Sequence, residues 1–213
     1  MGQFDCKLTY YQNLRIRVAV LRSTLLNRCA RKIRMSHVTI APTSKVSTRP
    51  ALLSDLPRLA EIYNYYILNT HITFNITPFT PETFRPWFDE HSDGKRHRLV
   101  VAIEAGNGRI IGYAGTARFR PKEAYETTVE TTIYCSHDCT QLGIGTMLYH
   151  SLFEAIAGED INRIVAGVTL PNPASVALHE RFGFRHLGTF TRNGRKFGKY
   201  WDVAWFERPL KLE

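Results

Sequence analysis

The sequence predicts an α/β protein in which one mixed sheet carries helices on both faces. Two kinds of segment alternate along it. Short β-branched or aromatic runs, as over 127–135 and 161–168, suit strands, whereas apolar residues at helical spacing, as in Ile144, Leu148, Leu152 and Ile156, suit helices. Their order is strand, two helices, three strands, helix, strand, helix, two strands. Helices layered over both faces of one sheet is the natural packing for that order. At 213 residues and 44% hydrophobic composition, the chain is long enough for one such domain with a sizeable core.

Taken in order, residues 48–51 make a first strand. Ser54 is placed to cap a helix running to Leu68, with Leu56, Leu59, Ile62, Tyr63, Tyr66 and Ile67 on its buried face. A polar and aromatic loop covers 71–79. Thr80, Pro81 and Glu82 then supply a cap, a first helical residue and a first-turn acid for a short helix to His91. Residues 98–104 form a strand, which Gly106-Asn107-Gly108-Arg109 turns into the next one, 110–118. The loop 119–124 leads to the long strand 127–135. Gly143 and Gly145 close a turn into the helix 145–157. After the strand 161–168, Asn172 or Pro173 opens a helix that Gly183 stops near Phe182. Two strands, 184–192 and 200–206, joined by a hairpin bearing Gly and Lys/Arg, complete the domain.

The formal charge of +9 invites a nucleic-acid reading, but its distribution argues against one. Residues 1–48 hold nine Lys/Arg and one acid, leaving 19 basic and 18 acidic residues for the rest. The basicity belongs to a tail on a nearly neutral domain, so residues 1–45 read as a basic extension and 46–213 as the domain. Residues 10–34 fit a mitochondrial-type presequence, a basic membrane-surface helix, or residues upstream of a true start at Met35. Cys6, Cys29, Cys135 and Cys139 have no paired metal spacing and suit free thiols in a reducing compartment. No run is apolar enough to span a membrane. A cytoplasmic protein without metal, nucleic-acid or membrane partners is the expectation, with a mitochondrial location if the presequence is genuine.

A strand feeding a helix through Gly143 and Gly145 leaves unpaired N–H groups at the positive end of the helix dipole, which suits a phosphate group. The bland alternative is a tight turn that needs small residues. A second stretch, Asn172 to Phe184, shifts the balance toward the phosphate site. Thr140-Gln141-Leu142-Gly143-Ile144-Gly145 resembles the acetyl-CoA pyrophosphate loop of the GCN5-related N-acetyltransferase (GNAT) superfamily. Asn172-Pro173-Ala174-Ser175 through Leu178-His179 to Gly183-Phe184 resembles that family's Asn-x-x-Ser-x-x-Leu-Tyr-x-x-x-Gly-Phe element. The resemblance covers residues 47–209. Within the family the chain looks most like the phosphinothricin/methionine sulfoximine N-acetyltransferases, through the stretches 119–125, Thr128-Val129-Glu130, Leu170-Pro171-Asn172 and 200–203. It departs from the pattern where Thr140 replaces Gln or Arg and His137 replaces Pro.

The resemblance implies a GNAT fold, acetyl-CoA as co-substrate, a homodimer, and acetylation of the α-amine of a small amino-acid analogue, a detoxification chemistry. It makes Glu130 the general base, its pKa raised by burial beside Val129 and Ile133. His179, read as lying near the start of its helix, would point at the thioester sulfur and protonate the departing thiolate, or orient the amine. Thr140, Gln141, Leu142, Gly143, Ile144, Gly145 and Thr146 would hold the diphosphate, and Asn172 and Ser175 the pantetheine arm. Backbone amides of Ile133, Tyr134 and Cys135, where the strand splays from its neighbour, would hold the thioester oxygen. Arg120 and Lys122 would clamp the acceptor's anion or simply sit in a solvated loop, and Phe74 and Tyr125 would line the pocket. Peptide N-acetylation and non-catalytic acyl-CoA binding are the alternatives.

Overall fold

The computed structural model describes residues 46–91, 96–139 and 143–211. The readings made for residues 1–45, and for Thr140, Gln141 and Leu142 of the loop, lie outside these residues. Seven strands form one sheet in the order β1-β2-β3-β4-β5-β7-β6: β1 Val46–Pro50, β2 Leu99–Glu104, β3 Ile110–Arg118, β4 Thr128–Cys135, β5 Arg163–Thr169, β6 Arg185–Lys196 and β7 Lys199–Pro209. Every neighbouring pair is antiparallel except β4 and β5.

Among the described residues four α-helices cover the sheet: α1 Leu56–Asn69, α2 Pro81–Asp89, α3 Ile144–Ala155 and α4 Pro173–Arg181. On one face Leu56, Leu59 and Ile62 of α1, with Phe84 and Phe88 of α2, pack on Val101, Ile110 and Tyr113. On the other, Leu148, Tyr149 and Leu152 of α3 pack on Ile111, Val129 and Ile164, with Leu178 and Phe182 beside them. Residues alternate between these faces along each strand. Val129 therefore enters the α3 core while Glu130, Thr132 and Tyr134 turn toward α1 and α2.

The cap at Thr80 is as expected, its hydroxyl accepting from Thr83 N. Ser54 is not the cap of α1. The chain first makes a 3-10 turn over Leu53–Asp55, and Asp55 stands at the cap position without a side-chain cap bond. Its carboxylate is committed elsewhere: it accepts Leu52 N at 2.7 Å and the two terminal guanidinium nitrogens of Arg49, Nη1 and Nη2, at 2.6 and 2.9 Å. Those bonds outweigh the upward push of burial and hold its pKa below the ordinary carboxylate value. The last two strands are longer than the sequence suggested. Phe197 and Gly198, at φ +52° and +72°, close a two-residue turn, and the register shift between Phe190 and Gly194, beside Arg192 at φ +54°, absorbs the polar stretch as a bulge.

Candidate active site

The parallel pair is short. Its rungs are Thr128–Arg163, Val129–Ile164 and Glu130–Val165, after which the strands part. From Thr131 onward the β5 side of β4 has no ladder partner among the described residues. A groove of about 600 Å³ fills the fork, walled by Thr132 to Cys135 of β4, Gly167 to Thr169 of β5, the head of α3 and the inner face of α4. The Tyr66 hydroxyl of α1 donates to Cys135 O at 2.6 Å at this edge. Burial raises the Cys135 thiol to about 11, so it stays protonated and unreactive.

The head of α3 closes one end of the groove. Gly143, at φ +86°, is its cap residue, and Met147 N to Gly143 O is the first helical bond. The amides of Ile144, Gly145 and Thr146 precede that bond, in the first helical turn, where N–H groups are not taken up by the helix itself. Gly145 is where α3 approaches α4: a Cβ there would sit 3.1 Å from Leu178 Cδ2. Asn172 Oδ1 accepts Ser175 N at 3.2 Å, which caps α4 and sets both residues on the groove wall. Arg181 donates to Thr146 Oγ1 at 3.3 Å, placing a cation beside the α3 head. Sequence reasoning missed Arg181, although Ser175, Leu178 and Arg181 follow at three-residue steps on one helix face. It also missed Tyr66, Thr132 and Gly167.

A second cavity, of about 370 Å³, lies on the α1/α2 side of β4, lined by Glu130 with Tyr63, Phe79, Phe84, Trp87, Tyr113 and others. Thr132 and Tyr134 belong to both cavities, so the two meet there. Glu130 is half-buried, and burial raises its pKa while the Arg120 charge pulls the other way. Tyr134 carries a phenol that burial pushes far above its ordinary value, so it remains a neutral wall.

The predicted acceptor residues are not gathered at Glu130. Arg120 is exposed, its guanidinium 4.5 Å over the Phe119 ring, and reaches Glu130 by its field. Tyr125 is 43% exposed and meets Phe119 edge-on at 5.7 Å, while Lys122 is exposed just before the turn Glu123–Tyr125. Phe74 lies against Gly194 and borders a neighbouring pocket with residues 75–79, of which Asn75 and Phe79 also line the Glu130 cavity.

His179 departs most from expectation. It lies in the last turn of α4, not near the start, and is 3% exposed. Nδ1 lies 2.7 Å from Ser175 O and Nε2 lies 2.8 Å from the Tyr149 hydroxyl. A carbonyl only accepts, so Nδ1–H donates to Ser175 and Nε2 accepts from Tyr149. Burial lowers its pKa against the opposing Ser175 bond, which keeps the ring neutral. Its edge borders the groove while both nitrogens are engaged, by Ser175 O and the Tyr149 hydroxyl; what is corrected is its place on the helix, in the last turn and not the first.

Among the described residues no cluster of His, Cys, Asp and Glu could hold a metal ion, and no helix is long and apolar enough to cross a membrane. The family described as "Acetyltransferase (GNAT) domain" matches residues 49–205. The chain is 51% identical to a phosphinothricin N-acetyltransferase of Streptomyces coelicolor, covering 79% of this chain and 98% of that one. It is 33% identical to an L-methionine sulfoximine/L-methionine sulfone acetyltransferase of Pseudomonas paraeruginosa, covering 77% and 94%. Among solved structures, a GNAT superfamily phosphinothricin acetyltransferase from Sinorhizobium meliloti in complex with acetyl-CoA superposes with a TM-score of 0.73 at 32% identity, covering 78% and 88%.

Proposed function

The chain belongs to the GNAT acetyltransferases, acetyl-CoA-dependent enzymes, and from that membership we propose that it acetylates the α-amine of a small amino-acid analogue of the phosphinothricin, methionine sulfoximine or methionine sulfone type. The observation that carries this reading is the meeting of two cavities at Thr132 and Tyr134, with the donor groove on one side and Glu130 on the other.

The residues present suit acetyl-CoA. The close approach of α3 and α4 at Gly145 leaves a cradle that a side chain would fill, and the amides of Gly143, Ile144, Gly145 and Thr146 would hold the diphosphate with Arg181 beside them. Thr140, Gln141 and Leu142 would complete that loop. Asn172 and Ser175 would flank the pantetheine arm. When bound, acetyl-CoA supplies an electrophilic acyl thioester.

The chain's own residues do the rest. An α-amine is largely protonated at neutral pH, so Glu130 removes its proton, directly or through water, and a carboxylate of raised pKa suits that task. The amides of Ile133 and Cys135, which alternate away from β3 onto the unpaired edge of β4, hold the charge that develops on the acyl oxygen, while the Tyr134 amide between them faces β3. Arg120, whose field reaches Glu130, is the cation offered to the acceptor's carboxylate or phosphinate; Lys122, Tyr125 and Phe74 lie outside the lining of the Glu130 cavity. His179 assists by fixing Ser175 and Tyr149. The reading extends to a homodimer, in which a second copy covers the exposed Tyr125, Leu187, Phe190 and Tyr200. Sedimentation as a monomer would remove that part.

Purified protein with acetyl-CoA and a panel of phosphinothricin, methionine sulfoximine, methionine sulfone and a basic peptide tests the assignment. Thiol release with the small analogues is the expected result. Release with the peptide alone would point to peptide acetylation, and binding without release to a non-catalytic acyl-CoA binder.

A further inference from the structure

Lys196, the last residue of β6, is 5% exposed, and among the described residues no carboxylate pairs with it. Its ammonium donates to Thr73 O at 2.7 Å and to Tyr66 O at 3.3 Å, and stands 5.2 Å from the Phe197 ring centroid. Tyr66 lies in the last turn of α1, where the carbonyls carry the negative end of the helix dipole. A buried cation without an acid costs more than an apolar side chain of the same length. What the ammonium supplies in return is a grip on two carbonyls that belong to different segments.

Both segments lead to the site. Thr73 sits in the loop 70–79, and its Oγ1 lies 2.7 Å from the Tyr63 hydroxyl, which in turn donates to Asn75 Oδ1 at 2.6 Å. Tyr63 and Asn75 are walls of the cavity that contains Glu130. Tyr66, the other residue held, donates its hydroxyl to Cys135 O at the groove edge. The same side of the fold fastens the loop elsewhere. His71 stacks on Trp201 at 4.1 Å, Trp201 Nε1 donates to Lys196 O at 3.0 Å, Thr169 Oγ1 donates to Ile72 O at 3.4 Å, and Phe74 lies on Gly194. Lys196 is the one member of this set whose side chain grips the loop and α1 together.

We propose that Lys196 is a positioning residue for acceptor binding: its ammonium pins the loop 70–79 against the β6–β7 hairpin and so fixes the wall opposite Glu130. The kinetic half of this inference rests on the acetyl-transfer reading, and the structural half does not.

Lys196→Met keeps the length and removes the charge. Amide hydrogen exchange over 70–79 should accelerate about ten-fold while exchange in α3 is unchanged, the pattern of a local opening. With phosphinothricin or methionine sulfoximine as probe, the acceptor KM should rise about ten-fold, with kcat and the acetyl-CoA dissociation constant held within about two-fold. Gly194→Ala gives a second route that leaves the ammonium in place, because its Cβ would meet the Phe74 ring at 2.2 Å and displace the same loop. It should reproduce both effects, which tests the loop's part in acceptor binding; if Lys196→Met does not fold, Lys196→Gln tests the ammonium itself by the same two readouts. Unchanged exchange over 70–79 overturns the inference. So does faster exchange with an unmoved acceptor KM in an enzyme whose parent turns the analogue over. A parent protein that turns over none of the panel sinks the functional reading instead, and the exchange data alone then decide whether Lys196 holds the loop.

Discussion

Glu130 faces Val165 on the last rung joining β4 to β5, and beyond that rung the two parallel strands separate. The carboxylate therefore stands at the point of the fork, on a strand that β3 continues to brace through Ala117 and Thr116. A base on a braced strand keeps its distance to the groove more tightly than one on a loop, which is what proton transfer requires.

Arg120 opposes the upward push that burial exerts on Glu130. Arg120→Met removes the opposition, so the Glu130 pKa rises further. Because the base acts unprotonated, the acid limb of kcat/KM should move to higher pH, with a rise in acceptor KM from the lost anion contact. A pH–rate profile checks this, and a limb that stays in place or moves down contradicts it.

His179 holds Tyr149 and Ser175 through both ring nitrogens. His179→Ala should therefore cost stability of roughly 2 kcal/mol, read as a lower Tm, together with slower turnover. If the ring instead delivered the thiolate's proton, the substitution would erase the basic limb of the kcat profile. That limb should survive.

The same histidine makes stability depend on pH. Its folded pKa is lowered by burial, so below about 6.5, the ordinary histidine value, the unfolded chain binds a proton that the folded chain does not. Its contribution is fully present above that pH and is lost as pH falls. Denaturant unfolding between pH 8 and 5 should show wild type losing stability relative to His179→Gln, and the opposite trend would refute the neutral, engaged ring.

At the cofactor end, the atom nearest a Cβ on Gly145 is the flexible tip of Leu178, so alanine should be tolerated there. Gly145→Val should raise the acetyl-CoA dissociation constant about ten-fold or more by filling the cradle. Arg181→Gln should raise it by a few-fold, and that effect should shrink in high salt because the guanidinium is exposed. Calorimetry measures both.

Much of this was legible in the sequence, because period-two runs and three- or four-residue steps mark which face is buried whatever the tertiary partner. The Thr80 cap and the Gly183 stop were readable for the same local reason. What was not readable depended on distant partners. Asp55 rather than Ser54 stands at the cap of α1 because Arg49 lies across from it. His179 turns inward because Tyr149, 30 residues earlier, waits in the core. Phe74 is drawn toward the hairpin by the open face of Gly194, far along the chain. A left-handed Phe197 lengthens β6 and β7, and no local rule assigns that conformation to phenylalanine.

The most direct measurement is turnover of Glu130→Gln with a small analogue, alongside calorimetry of acetyl-CoA binding. The account predicts that turnover falls by about 10²- to 10⁴-fold and the acid limb disappears, while the acetyl-CoA affinity stays within about two-fold. A variant that keeps the full rate and the same acid limb would show that Glu130 is not the base.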